Sequence, residues 1–333
     1  MKIIIITTAN EDMKETGFGK MKACNSVLKA LKTRFVDVCI KRCETELDLE
    51  NVLLQSPDIV FLAVKYIQIL SGEKIWLSKY FEDAGINFTG SRRDILEYDS
   101  NKVKAKELLI IKGIKTAEFQ VIRADKYLSE NTMTMRYPIF LKPLNAANGN
   151  GIDDESIIFN FKDFQKKVKK LFNKYGNTVL AEKYLPGREF TVAIIEDPSK
   201  KTLIVSPIEI VPPKNKNRMR ILGEKVKNEN TEELKKISND LLKAKLKRLA
   251  LKCYNTLGAR DFGRIDIKMD ENNVCHFIEA NLVPGMTKGS SYFPEALEID
   301  SKLKYCQVVD LIFDNALNRK ILNEMNIKPP HIF

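Results

Sequence analysis

GRIDIKMDENNVCHFIEAN, residues 263–281, is the stretch on which the fold turns. Its two halves alternate apolar and polar residues with the period of a strand, around the turn formers Asp270, Glu271, Asn272 and Asn273. It therefore reads as a hairpin. Ile265, Ile267 and Met269 take one face of the first strand, and Arg264, Asp266 and Lys268 the other. In the second strand Cys275, Phe277, Glu279 and Asn281 share a face. A turn pairing Met269 with Val274 sets Asp266 opposite Phe277 and Arg264 opposite Glu279. Arg264, Asp266, Glu279 and Asn281 then line one surface. Two carboxylates and an amide oxygen form an all-oxygen set of the kind Mg²⁺ takes beside phosphate oxygens and water. An arginine there could steady a developing oxyanion. The pattern alone leaves a second reading open, a surface hairpin with an ordinary Arg264–Glu279 ion pair.

Upstream, YPIFLKPLN (137–145) reads as a strand carrying Lys142, followed by a loop with Asn148-Gly149-Asn150-Gly151. Glycines let backbone N–H groups approach phosphate oxygens, and a lysine nearby neutralises them. No G-x-x-x-x-G-K-[ST] occurs, so a Walker-type loop is excluded, and the segment by itself is also compatible with a plain turn.

Further out, the first part of the chain alternates strand and helix. KIIIITT (2–8) and DIVFLAV (58–64) read as buried strands and RFVDVCI (34–40) as a third. Residues 19–33 and 72–85 read as helices, and 86–90 as a closing strand. This implies an α/β unit with a parallel sheet over residues 1–95. A second unit, 96–185, opens with one helix over 94–113. Strands at 116–122, 137–145 and 178–185 follow, with a helix over 162–176 before the last. The third, 186–333, holds strands at 188–197 and 206–213, a polar loop over 214–230 and one long helix over 231–258. The hairpin and a C-terminal helix complete it.

The 333 residues carry 55 Lys+Arg against 44 Asp+Glu, a net charge of +11. The lysines are spread along apparent amphipathic helices, and no nucleic-acid-binding signature accompanies them, so no nucleic-acid partner is expected. No apolar run approaches the ~20 residues of a membrane span. The apolar opening reads as a strand rather than a signal peptide, and six scattered cysteines read as free thiols in a reducing cytoplasm. Two histidines, His276 and His331, leave little material for a histidine triad or a histidine zinc site. Chemistry must run on carboxylates, lysines, arginines and a hard cation.

Taken in order, the features are far more specific than any one of them. They run TGS (89–91), D-x-x-K (99–102), GI-x-T (113–116), YPIFLKP (137–143), the glycine loop, LAEKYL-x-G-x-EFTVAI (180–194), GRIDI (263–267) and IEAN-x-x-PGMT (278–287). This order resembles the D-alanine–D-alanine ligase branch of the ATP-grasp superfamily. The resemblance implies an ATP-grasp fold of three subdomains with ATP between the second and third. It implies that Lys102 and Lys142 contact ATP phosphates, with Gly149 and Gly151 in the loop closing over them. Glu182, Lys183 and Leu185 match the adenine-binding segment and Glu189 the ribose ligand. Asp266, Glu279 and Asn281 match the ligands of two Mg²⁺ ions, with Mn²⁺ as an alternative. Arg264 matches the arginine at the tetrahedral intermediate, and Gly285 and Ser290 fall at the carboxylate-substrate site. The implied activity is amide-bond formation between small amino-acid substrates through an acyl phosphate, in a homodimer.

The first unit departs from that family. Where the family carries H-G-x-x-G-E-D-G, this chain reads VKYIQILSGEKIW (64–76), keeping only Gly72-Glu73. Glu11 or Glu15 stands as a loose match for the ammonium-binding glutamate. VPPKNKNRMRILGEK (211–225) replaces a tyrosine- and lysine-bearing loop. The substrates therefore need not be two D-alanines; a ligase for other amino acids (L-amino acids, or a natural-product or cell-wall peptide) and a non-catalytic nucleotide-binding homologue stand as alternatives.

Overall fold

The computed structural model describes residues 1–8, 17–123, 129–146, 149–176 and 178–325. Glu11, Glu15 and Asn148 lie outside these. The chain opens with β1 (Lys2–Thr7), α1 (Met21–Leu31), β2 (Asp37–Arg42), α2 (Glu46–Leu54) and β3 (Ile59–Leu62). A small hairpin, β4 (Tyr66–Gln68) and β5 (Lys74–Trp76), leads to α3 (Leu77–Asp83) and β6 (Asn87–Phe88). Strands β2-β1-β3-β6 form a parallel sheet in that order. In β1, Ile3 and Ile5 enter one apolar cluster while Ile4 and Ile6 enter another. A strand buried on both faces is what a continuous isoleucine run encodes. Helix α2 was not anticipated from sequence. Its signal is the capping box at Thr45: the threonine hydroxyl accepts from Asp48 N, and the Asp48 carboxylate accepts from Thr45 N.

Next come α4 (Arg93–Ser100) and α5 (Lys102–Ile111). The single helix expected over 94–113 is broken at Asn101, whose side chain caps α5 by accepting from Lys104 N at 3.0 Å. An Asn side chain competes with the helical backbone and favours such an end. Similarly, the helix expected over 72–85 begins only at Leu77, because Lys74–Trp76 pairs with β4.

Strands β7 (Phe119–Arg123), β8 (Ile139–Pro143) and β9 (Ile157–Ile158), helix α6 (Phe161–Tyr175) and β10 (Thr178–Lys183) follow. Their sheet is antiparallel, in the order β7-β10-β8-β9. Ile139, Leu141, Val179 and Ala181 pack in one cluster with Phe164, Val168 and Leu171 of α6. Alternation therefore turns Phe140, Lys142 and Glu182 to the other face.

The last section comprises β11 (Glu189–Asp197), β12 (Thr202–Val211), α7 (Glu224–Glu229), β13 (Glu233–Lys236), α8 (Asp240–Leu257), β14 (Phe262–Met269), β15 (Cys275–Asn281), α9 (Tyr292–Ser301) and α10 (Tyr305–Glu324). Its antiparallel sheet runs β13-β12-β11-β14-β15. Two expectations are corrected here. The polar loop over 214–230 contains α7. The long helix over 231–258 starts only after Asn239, which caps α8 by accepting from Leu242 N at 2.8 Å. Before it, Glu233–Lys236 pairs with Ile208–Val211 as a charged edge strand. Local composition favoured helix; pairing with β12 overrode it.

The β14–β15 register also differs from the expected one. Met269 pairs with Cys275 and Ile267 with Phe277, and a bulge then sets Asp266 opposite Glu279 and Arg264 opposite Asn281. The extra residue breaks strict alternation. Phe277 is buried in the core, while Glu279 and Asn281 turn to the face that carries Asp266. One inserted residue thus places the two carboxylates directly across from each other.

Candidate active site

The site is built where the β8–β10 sheet faces the β14–β15 hairpin, with α5 along one side. Lys142 on β8 and Glu182 on β10 lie on one sheet face, and Lys142 Nζ is 2.7 Å from Glu182 Oε2. Lys106 of α5, fully buried, places Nζ 2.8 Å from Glu182 Oε1. Lys102, one helical turn earlier, donates to Ala146 O at 2.5 Å and lies 3.9 Å from Glu279 Oε2. Residues four apart share a helix face, so α5 directs both lysines at the same region. Lys106 was missed from sequence, although its spacing from Lys102 was the available signal.

Asp266 is held from three sides. Arg264 makes two hydrogen bonds to it, Nε to Oδ1 at 2.9 Å and a terminal nitrogen to Oδ2 at 2.8 Å. Thr191 donates to Oδ1 at 2.6 Å and Asn281 Nδ2 to Oδ2 at 3.2 Å. The Arg264 guanidinium also sits 5.5 Å from the Tyr292 ring centre. Glu189 pairs with Lys268 at 2.6 Å.

Several of these groups border a cavity whose empty space, the open solvent at its mouth included, is about 880 Å³. Lys102, Lys142, Gly149, Glu182, Lys183, Leu185, Glu189, Asp266 and Glu279 all line it. Arg264 and Asn281 stand behind Asp266 rather than in the wall. Lys183 makes an exposed ion pair with Glu271 at 3.0 Å. Apolar walls come from Phe140, Ile152, Leu185, Leu222 and Ile278. Arg220 and Lys227, from the stretch expected to be a loop, add two cations that sequence reading did not pick. Gly151 lies in an adjoining groove, and its backbone N–H donates to Glu224 Oε2 at 3.0 Å. Gly285 and Ser290 are not in the cavity wall. The neighbouring Ser291, not Ser290, sets its hydroxyl beside Gly285, 2.8 Å from where a side chain on that glycine would begin.

The electrostatics follow from burial and neighbours. Burial opposes ionisation of Glu182, but Lys106 and Lys142 outweigh it and hold its carboxyl at about 2. Glu279 is likewise desolvated, and Lys102, Lys142, Lys227 and Arg264 keep its carboxyl well below the ordinary range. Burial opposes the charge of Lys142 too, and Glu182 and Glu279 raise it above the usual lysine value. Lys106 goes the other way: desolvation lowers it in spite of Glu182. A cavity lined by apolar side chains together with lysines and carboxylates suits an aromatic ring bearing a polyphosphate.

The profile of the family described as D-ala D-ala ligase C-terminus matches residues 108–314, well over half of the chain. The chain belongs to the D-Ala–D-Ala ligase family. As an ATP-grasp protein of this family it is 27% identical over 298 residues to the D-alanine–D-alanine ligase of Geobacter sulfurreducens, covering 87% of each chain. To that of Lacticaseibacillus casei it is 29% identical over 261 residues, 77% of this chain and 68% of the relative. Among solved structures, the D-alanine–D-alanine ligase from Bacillus anthracis complexed with ATP superposes with a TM-score of 0.76 at 19% identity, over 97% of this chain and 99% of that one. The VanG D-Ala:D-Ser ligase from Enterococcus faecalis gives 0.69 at 18%, over 95% and 99%. The ATP-grasp fold of this family member thus extends across the first sheet, where the motifs are fewest.

Proposed function

We propose that this family member is an ATP- and Mg²⁺-dependent carboxylate–amine ligase that joins two small amino acids through an acyl phosphate. The observation carrying the reading is the convergence of Lys102 and Lys142 with Asp266 and Glu279 on one cavity whose lining also includes Phe140, Leu185, Leu222 and Ile278. The proposed division is 1–95, 96–185 and 186–333, with the nucleotide between the second and third units. The segment of Glu182, Lys183 and Leu185 would lie along the adenine edge, with the Glu182 carboxylate kept on its lysines; Glu189 would take the ribose, Lys102 and Lys142 the phosphates, and the 146–151 loop would cover them.

The metal question turns on the donors. Among the described residues no group of three His, Cys, Asp or Glu side chains converges. Asp266 and Glu279 with the Asn281 amide form an open, all-oxygen set, which fits Mg²⁺ completed by phosphate oxygens and water rather than a closed protein cage. When bound, Mg²⁺ would supply charge neutralisation at the transferring phosphoryl group. The chain's own lysines orient the γ-phosphate for attack by a substrate carboxylate, releasing ADP. The loop excludes water from the resulting mixed anhydride. The amine then attacks the acyl carbon, Arg264 steadies the oxyanion, and phosphate leaves. Gly285 and Ser290, with Ser291 beside that glycine, would receive a substrate carboxylate.

Purified chain is to be incubated with ATP, Mg²⁺ and pairs drawn from D-alanine, D-serine, glycine and L-amino acids. Phosphate release with dipeptide detected by mass spectrometry is expected for at least one pair; none with any pair overturns the reading. That the substrates need not be two D-alanines is supported by one observation. Lys65 stands in the stretch where the family's histidine motif is missing, and it is buried against Asp99 at 2.7 Å. We also take the protein to be cytoplasmic and homodimeric, without nucleic-acid partners; sedimentation tests the dimer. No helix among the described residues is long and apolar enough to cross a membrane.

A further inference from the structure

We infer that Lys106 is the positioning residue that frees Lys142 for an incoming polyphosphate, by keeping the buried Glu182 carboxylate neutralised when Lys142 turns away from it. The inference rests on the nucleotide reading above. Three facts of geometry carry it. First, Lys106 is 0% exposed and is not among the residues lining the cavity, so it does not meet the ligand itself. Second, Lys106 and Lys142 hold opposite oxygens of one carboxylate, at 2.8 and 2.7 Å. Third, the rest of the surroundings of Lys106 includes the rings of Phe119 and Phe277, 5.7 and 6.0 Å away, so among the described residues Glu182 is its one ion-pair partner.

Two lysines on one carboxylate leave one positive charge in surplus. Only Lys142 lines the cavity, so the surplus can be delivered only through it. Were Glu182 paired with Lys142 alone, moving that lysine toward phosphate would strand a buried carboxylate, a strongly unfavourable state. Lys142 would then be held back by its own partner. With Lys106 in place the carboxylate stays paired throughout, and Lys142 changes partner at low cost. Desolvation already weakens the hold of Lys106 on its own proton, and Glu182 is the largest influence opposing it.

The test measures binding of a nonhydrolysable ATP analogue with Mg²⁺ by calorimetry on the full chain, wild type first. Lys106→Met is expected to weaken binding by about tenfold or more, the scale of a charge-assisted contact withheld. KM for ATP should rise while kcat at saturation is largely kept. Adding Glu182→Gln to Lys106→Met is expected to restore most of the affinity, because Lys142 is then released; a lysine that merely packs would show no such rescue. Glu182→Gln alone should bind the analogue more tightly than wild type, which decides the matter should Lys106→Met fail to fold. Wild-type affinity in Lys106→Met, a double variant no better than the single, or weaker binding by Glu182→Gln overturns the inference while the nucleotide reading stands. Absence of binding by the wild-type chain overturns both.

Discussion

At the residue scale, Arg264 and Glu182 carry separable consequences. Arg264 is tied to Asp266 by two hydrogen bonds and stands behind the cavity wall. Its proposed role belongs to the oxyanion. Arg264→Ala should therefore lower turnover about 100-fold or more while nucleotide affinity changes little. Phosphate-release rates and nucleotide titration measure the two, and a large loss of nucleotide binding would contradict the role. Glu182 makes a prediction about acid. Its ordinary carboxyl value of 4.5 falls to about 2 in the folded chain. A depressed carboxyl contributes stability that is full above the unfolded value and is lost as pH falls through the folded one. Unfolding free energy should thus decline between about pH 4.5 and 2, and Glu182→Gln should flatten that decline by about one proton, read from denaturant melts across the range. Lys142, Glu182 and Glu279 were legible singly from motif and alternation. Lys106 was not, because its four-residue spacing from Lys102 puts it on the same helix face but does not by itself distinguish a buried lysine from an exposed one.

At the scale of elements, two short irregularities do the positioning. The bulge in β15 sets Glu279 directly across from Asp266, whereas strict alternation with the simplest turn set Phe277 there. A bulge leaves no mark in a period-two pattern until the strands are paired. The glycine loop is latched to α7: Glu224 accepts from Gly151 N, and Glu224 N donates to Ile152 O at 3.0 Å. Gly151 has φ +78°, and a side chain there would begin 2.6 Å from Pro143 Cγ and 2.8 Å from Tyr175. Gly151→Ala should therefore cost about 1–3 kcal/mol through strain. It should also weaken nucleotide binding, since Pro143 lines the cavity. A thermal melt paired with a nucleotide titration tests both; an unchanged melt would mean the loop has room that the geometry denies it.

At the scale of the whole molecule, one apolar cluster runs from Ile3 and Ile5 of the first sheet through the last sheet to Phe313 of α10. The C-terminal helix is what stitches them. Arg319 pairs with the fully buried Asp261 and donates to Phe88 O at 2.6 Å, while Asp261 also accepts from Gly90 N at 2.7 Å. Arg319→Ala leaves that carboxylate without its cation and should destabilise the chain by about 3–5 kcal/mol. The denaturant midpoint should fall, while nucleotide affinity of the folded fraction is kept, because the pair lies outside the cavity. A midpoint within error of wild type would show that the two sheets are joined by apolar packing alone.

The amino-acid sequence by itself determined the parallel first sheet, the family and the oxygen-rich hairpin. Each of these is written in local periodicity or in motifs whose order is specific. The tertiary structure decided the bulged register, the edge strand at Glu233–Lys236, the cations from the 214–230 stretch and the sharing of Glu182 by two lysines. Those features exist only once distant segments pair, and pairing energy outweighs the local preferences that sequence patterns report.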